Sequence, residues 1–240
     1  MRYSRPPMLD ISKIRAITLD LDDTLWPIAP VITRAEDVLA QWLDAQAPGA
    51  AAIFRHPEQR AAVREAVVQS RPDLGHDLSA IRRESIRLAL QQAQEDTDLA
   101  EPAFDVFFVE RMRVQLYDDA GPALALLAAH YPLVAVSNGN ADVHKVGLGQ
   151  FFRHALSARE FGHAKPDARI FHAGASAVGV EASEVLHVGD DMSLDVLGAL
   201  EAGMQTVWLN RTDHAWHHAA QPHATVTDLM ELCNLLGLEA

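Results

Sequence analysis

Four short stretches of this chain gather side chains able to handle an anionic oxygen group. Two carboxylates, Asp20 and Asp22, stand at the end of the apolar run Ile17 to Leu21, and Thr24 follows them. Side chains at i and i+2 of a strand share a face. If the extended geometry runs on to Asp22, the two acids point the same way, and they repel unless something separates, hydrogen-bonds or metallates them. The bland reading is an acidic turn after a strand; the sharp one is a catalytic pair sharing a divalent cation. Ser137-Asn138-Gly139 closes a second apolar run, where a hydroxyl and neighbouring backbone N–H groups can meet a phosphate oxygen, although alone the tripeptide is an ordinary turn. Lys165 stands before Pro166-Asp167, which suit the opening of a helix; a solvated lysine is the usual fate of that residue. A third run, Val185 to Val188, leads into Gly189-Asp190-Asp191, with Asp195 beyond. Magnesium takes oxygen ligands, commonly one or two carboxylates with waters and a substrate phosphate, which makes Asp190 a candidate metal ligand.

These residues need a frame that brings strand ends together. From Pro122 the sequence alternates: a helix to about His130, the strand Leu133 to Ser137, a short strand from Ala155 to Ala158, a helix through about Val178, then strands at Val185, Met204 to Leu209 and Val226. Such alternation implies a parallel sheet with helices on both faces and ligands at the carboxyl ends of the strands. Residues 27–116 read as helical. Thr33-Arg34-Ala35-Glu36 has capping-box spacing, Pro48-Gly49 breaks the first helix, and a second runs from Pro57 to about Ser70. Leu78, Ile81, Leu88 and Ala89 outline a third helix, and Phe104, Phe107, Phe108 and Met112 a fourth after Pro102. The expected organisation is α/β: a doubly wound, mainly parallel Rossmann-like core, residues 1–26 and 117–240, with an all-helical domain, residues 27–116, inserted in it. Trp42, Phe104 and Phe108 should pack between helices. Trp26, beside the acid pair, either packs or lines the mouth of a pocket.

The 240 residues, 49% of them hydrophobic, suffice for a buried core, and the net charge of −13 speaks against nucleic acid or an anionic membrane as partner. A single cysteine, Cys233, excludes an internal disulfide framework and suits a reducing compartment. The first residues lack a secretory pattern and no run approaches the roughly 18 apolar residues of a membrane span, so a cytoplasmic protein is expected. His214, His217, His218 and His223 have neither a matching cysteine nor regular helical spacing and read as a surface loop rather than a zinc site. His187, inside a strand, reads as a core histidine.

In order, Asp20-Leu21-Asp22-Asp23-Thr24-Leu25, Ser137-Asn138-Gly139, Lys165-Pro166 and Gly189-Asp190 with Asp195 resemble the four motifs of the haloacid dehalogenase-like phosphohydrolases. The helical insert stands where members with a type-one cap carry it, a cap that closes over the site and contacts the leaving group. The resemblance implies magnesium and a phosphoaspartyl intermediate. Asp20 would be the nucleophile, Asp22 the acid and then the base, Ser137 the phosphate-binding hydroxyl, and Lys165 the counter-charge. Thr24 and Asn138 would join the phosphate-binding residues, Asp20, Asp22 and Asp190 the metal, and Asp195, or else Asp191, would orient the lysine or a metal-bound water. Haloacid dehalogenases need no acid at the place of Asp22, which is typically tyrosine there, so Asp22 favours phosphoryl transfer. A phosphosugar mutase and a non-catalytic phosphate-binding regulator are alternatives, the latter disfavoured by Asp20 and Asp22. Arg2-Tyr3-Ser4-Arg5-Pro6, the acid motif, Pro30-Val31-Ile32, Ser137 to Ala141 and Leu186 to Met192 resemble a bacterial branch of flavin mononucleotide phosphatases. That branch also dephosphorylates 5-amino-6-(5-phospho-D-ribitylamino)uracil in riboflavin synthesis. The expected substrate is therefore a small phosphoester of this kind, with Trp26 offering its ring an apolar face; sugar phosphates or phosphoglycolate are the alternative.

Overall fold

The computed structural model describes residues 8–238, so the likeness carried by Arg2 to Pro6 lies outside the described residues. Six strands make the sheet: β1 (Ala16–Leu19), β2 (Leu133–Ser137), β3 (Phe152–Ser157), β4 (Val185–Gly189), β5 (Gln205–Leu209) and β6 (Ala224–Val226). They are all parallel, in the order β3-β2-β1-β4-β5-β6. Every residue of β1, β2, β4 and β5 is buried, which is why these strands read as unbroken apolar runs rather than alternating ones. The chain leaves β1 towards β2 and returns on the other side at β4. The order therefore reverses at β1 and β4, where an open α/β sheet leaves a crevice beyond its carboxyl ends.

Among the described residues ten α-helices accompany the sheet: α1 (Ile28–Gln46), α2 (Pro48–Arg55), α3 (Pro57–Ser70), α4 (Leu78–Gln92), α5 (Ala100–Arg111), α6 (Ala120–His130), α7 (Ala158–Phe161), α8 (Ala168–Ala177), α9 (Gly198–Glu201) and α10 (Leu229–Leu235). The described residues divide into two compact units, one holding those up to Pro27, Gln115–Gly139 and those from Val143, the other Ile28–Val114 with Asn140–Asp142. In the first, Val134, Val136, Ile170 and Phe171 pack in one buried cluster. Cys233 is buried on α10. The second unit buries Leu39, Leu43, Phe54, Ile86, Leu90 and Phe104, with Trp42 and Phe108 packed against them. Phe104 and Phe108 stack with ring centroids 5.5 Å apart. Among the described residues no helix is long and apolar enough to cross a membrane.

Three local expectations change. β1 ends at Leu19, before either acid, because the chain turns at once: Asp23 has φ of 58° and its N–H donates to the carbonyl of Trp26 at 2.8 Å. Asp20 and Asp22 therefore share no strand face. Thr33 is not a cap: α1 starts at Ile28, and the Thr33 hydroxyl donates back to the carbonyl of Ala29 at 3.0 Å inside the helix. Pro48 both ends α1 and opens α2, as its fixed φ and missing N–H allow at a first helical position. The return of Asn140–Asp142 to the helical unit, where the Asn140 amide donates to the Ser79 hydroxyl at 3.1 Å, had no local sequence signal.

Candidate active site

The ends of three adjacent central strands, β2, β1 and β4, deliver Ser137, Asp20 and Asp190 to one edge of the sheet. Lys165 arrives before α8, whose N-cap Asp167 accepts from Arg169 N–H. The lysine is 4% exposed, and its Nζ donates to Asp20 Oδ1 and to Asp195 Oδ1, each at 2.5 Å. Burial works against its charge, but Asp195 and Asp20 outweigh that and hold the ammonium protonated well above the ordinary lysine range. Asn138 pins the lysine backbone: its Oδ1 accepts from Lys165 N–H at 2.7 Å and its Nδ2 donates to Lys165 C=O at 2.9 Å. The Asn138 side chain, expected at the phosphate, meets the lysine backbone here.

Asp20, Asp190 and Asp195 bring carboxylate oxygens within 4.8 Å of one another. One ammonium does not balance three such acids. Burial raises Asp20 well above the carboxylate range, and Asp195 and Asp190 add to this against the pull of Lys165. Asp190 is pushed up to about 7 by burial, then by Asp195 and Asp23. Asp195 stays ionised: burial opposes its charge, yet Lys165 and His187 hold it far below the usual range. A hard divalent cation suits this all-oxygen set with its surplus of negative charge. Asp22 contributes no carboxylate to the cluster.

The structure separates Asp195 from Asp191. Asp195, 1% exposed, accepts from Lys165, from Asp191 N–H at 3.0 Å and lies 3.1 Å from His187 Nε2. Asp191 is exposed and caps the helical turn Met192–Leu197, accepting from Ser193 and Leu194 N–H at 2.8 Å. Of the two acids, Asp195 is the one in contact with the lysine. His187 is buried as expected, but it also links Thr18 Oγ1, 2.8 Å from Nδ1, to Asp195, and burial keeps its pKa low.

Thr24 and Trp26 each meet an acid of the site. The Thr24 hydroxyl donates to Asp190 Oδ1 at 3.2 Å, which braces the candidate metal ligand. Trp26 is fully buried, and its indole N–H donates to Asp22 Oδ1 at 2.8 Å. A ring so enclosed offers no face to a substrate.

Sequence reasoning overlooked several supports. Trp208 Nε1 donates to the Asp190 carbonyl at 2.8 Å. Arg211 donates to the Thr24 carbonyl from Nη2 at 2.9 Å, pairs with both oxygens of Asp119, and lies over the Tyr117 ring at 3.9 Å. Its place just after β5, on the edge that bears the acids, was the available signal. Gly139 and Gly189 carry no side chain for a steric reason: a Cβ on Gly139 would collide with Asp22 Oδ2, and one on Gly189 with the Asp195 carboxylate. The segment with His214, His217 and His218 is irregular, between β5 and β6.

A family model for haloacid dehalogenase-like hydrolases matches residues 14–203. The chain is 33% identical to the 5-amino-6-(5-phospho-D-ribitylamino)uracil phosphatase YigB of Escherichia coli, over 98% of this chain and 100% of that one. It is 30% identical to a phosphoserine phosphatase of Thermus thermophilus, over 91% of this chain and 98% of the relative. The crystal structure of a 2-haloacid dehalogenase from Pseudomonas syringae superposes with a TM-score of 0.87 at 38% identity, covering 93% of this chain and 98% of that one.

Proposed function

The chain belongs to the haloacid dehalogenase-like hydrolases, and from that premise we propose that it is a magnesium-dependent phosphatase of a small phosphomonoester. The observation that carries this reading is the placement of Asp22. Its Oδ2 lies against Gly139, beside the Ser137 hydroxyl, so a proton donor stands at the turn able to hold a phosphoryl group. Loss of halide needs no proton; loss of an alkoxide does.

Lys165 occupies Oδ1 of Asp20, which leaves Oδ2 to attack phosphorus. The bond from phosphorus to the ester oxygen breaks, and Asp22 gives its proton to the departing alkoxide. Asp22, now a carboxylate, takes a proton from water, the water oxygen attacks phosphorus, and the bond to Asp20 breaks to release phosphate. Ser137 and Lys165 stabilise the negative oxygens throughout. Asp20 and Asp190 would hold the cation, which when bound supplies positive charge to the phosphoryl oxygens.

The whole-length likeness to YigB, a 5-amino-6-(5-phospho-D-ribitylamino)uracil phosphatase, supports a ribityl phosphate as substrate; flavin mononucleotide is the second candidate, and the proposed enzyme is cytoplasmic. The buried Trp26 is no longer part of that argument. The helical unit holds the place in the chain of the family's type-one cap. Phosphate release should be screened over flavin mononucleotide, the phosphoribitylaminouracil, phosphoserine, phosphoglycolate and hexose phosphates, with magnesium and with excess chelator. Greatest kcat/KM on the two ribityl phosphates, abolished by chelator, is the expected result; equal efficiency on small sugar phosphates defeats the substrate assignment. The 38% identity to a solved haloacid dehalogenase favours a second reading. Chloride release from 2-chloropropionate without phosphate release from any ester would establish it and overturn the phosphatase.

A further inference from the structure

Asp22 is held from two sides. The turn that follows β1 closes through Leu25 N–H to Leu21 C=O and Asp23 N–H to Trp26 C=O, both at 2.8 Å, with Asp23 in the left-handed region that aspartate tolerates. Closing the turn this way sets the Trp26 indole beside the Asp22 carboxylate, and its Nε1–H takes Oδ1 at 2.8 Å. The other oxygen, Oδ2, lies against Gly139, at the only kind of residue that leaves it room. Trp26 is fully buried, so its ring cannot swing away from this bond without opening the turn.

We propose that Trp26 is a positioning residue for the acid step: its indole N–H fixes which oxygen of Asp22 works. An indole nitrogen can only donate, so the oxygen it binds must accept. With Oδ1 taken by the indole, Oδ2 is the oxygen presented at the Ser137–Gly139 turn, where the ester oxygen leaves. Without that donor, one of the contacts that orient the carboxylate is lost. The inference rests on the reading of Asp22 as the general acid, and it adds that a residue closed off from substrate sets the leaving-group preference.

The test compares two esters of nearly equal shape. 4-Nitrophenyl phosphate loses a phenolate that departs unprotonated, whereas 4-nitrobenzyl phosphate loses an alkoxide that needs the proton. Phosphate release from both is measured for the wild type, Trp26→Phe, Asp22→Asn and a protein carrying benzothienylalanine at position 26. That isostere keeps the fused ring and its volume but replaces the N–H with sulfur, so packing loss in Trp26→Phe is told apart from loss of the donor. The ratio of kcat/KM, benzyl over phenyl, should fall about tenfold or more in both position-26 proteins, the scale of one hydrogen bond to a charged group. It should fall further in Asp22→Asn. A loss equal on both esters, or no loss, in the isostere overturns the role of Trp26 while Asp22→Asn still shows the preference collapsing. If Asp22→Asn keeps the wild-type ratio, or the wild type cleaves neither ester, the reading of Asp22 fails and this inference with it.

Discussion

Each of the two units buries a cluster of charges, and they are balanced in opposite ways. In the helical unit Glu36, 9% exposed, lies between Arg60 at 2.7 Å and Arg82 at 3.1 Å, and Arg82 also covers the Phe107 ring at 4.4 Å. One acid meets two bases there, and each carboxylate oxygen has its own guanidinium. In the sheet unit Lys165 faces Asp20 and Asp195 while Asp190 closes the group, so carboxylates outnumber the base. The helical cluster has one positive charge in excess, carried on arginines that are 26% and 16% exposed and still reach water. The sheet cluster has its excess on carboxylates that one lysine does not balance, and that unmet negative charge, rather than burial, is what marks a site.

The sharpest way to break this contrast is to remove the nucleophile. Asp20→Asn should lower turnover by at least about a thousandfold, roughly 4 kcal/mol of barrier, because the amide fills the space without attacking. Phosphate release within about tenfold of wild type would refute the assignment. Next comes Gly139→Ala. Gly139 has no left-handed backbone, so the methyl group acts only by displacing Asp22, and kcat should fall about a hundredfold with an unchanged circular dichroism spectrum. An active Gly139→Ala enzyme would mean that Asp22 works from another position.

Glu36→Gln tests the other cluster. It strands two arginines against each other, with an expected cost of about 2 kcal/mol in urea unfolding, and the magnesium affinity of the folded protein should not change. A shift in magnesium affinity would show that the two clusters are not the separate kinds described. The smallest effect concerns pH. Asp190, pushed up to about 7, binds a proton that the cation must displace, so magnesium affinity should rise with pH and level off just above neutrality. Calorimetric titration should find it about tenfold weaker at pH 6 than at pH 8, since one unit below its pKa only about a tenth of the acid is ionised. A flat profile would argue that Asp190 is not at the metal.

Local sequence determined the strands, the order of the motifs and which residues stand at strand ends. Those follow from apolar runs such as Leu133 to Val136 and from breakers such as Gly139, whose effects reach only a few residues. It also fixed the chemistry on offer, because Asp, Ser and Lys carry their donors and acceptors wherever they lie. What each side chain binds was decided elsewhere. Trp26 reads from sequence equally well as a pocket wall, and only the turn at Asp23 aims its N–H at Asp22. Asn138 meets Lys165, Thr24 meets Asp190, and Arg211 holds the Thr24 carbonyl, across 27, 166 and 187 residues respectively. No spacing rule spans such distances. The partners are chosen when β2, β1 and β4 align and their ends converge, and the same convergence makes Asp195 rather than Asp191 the partner of the lysine.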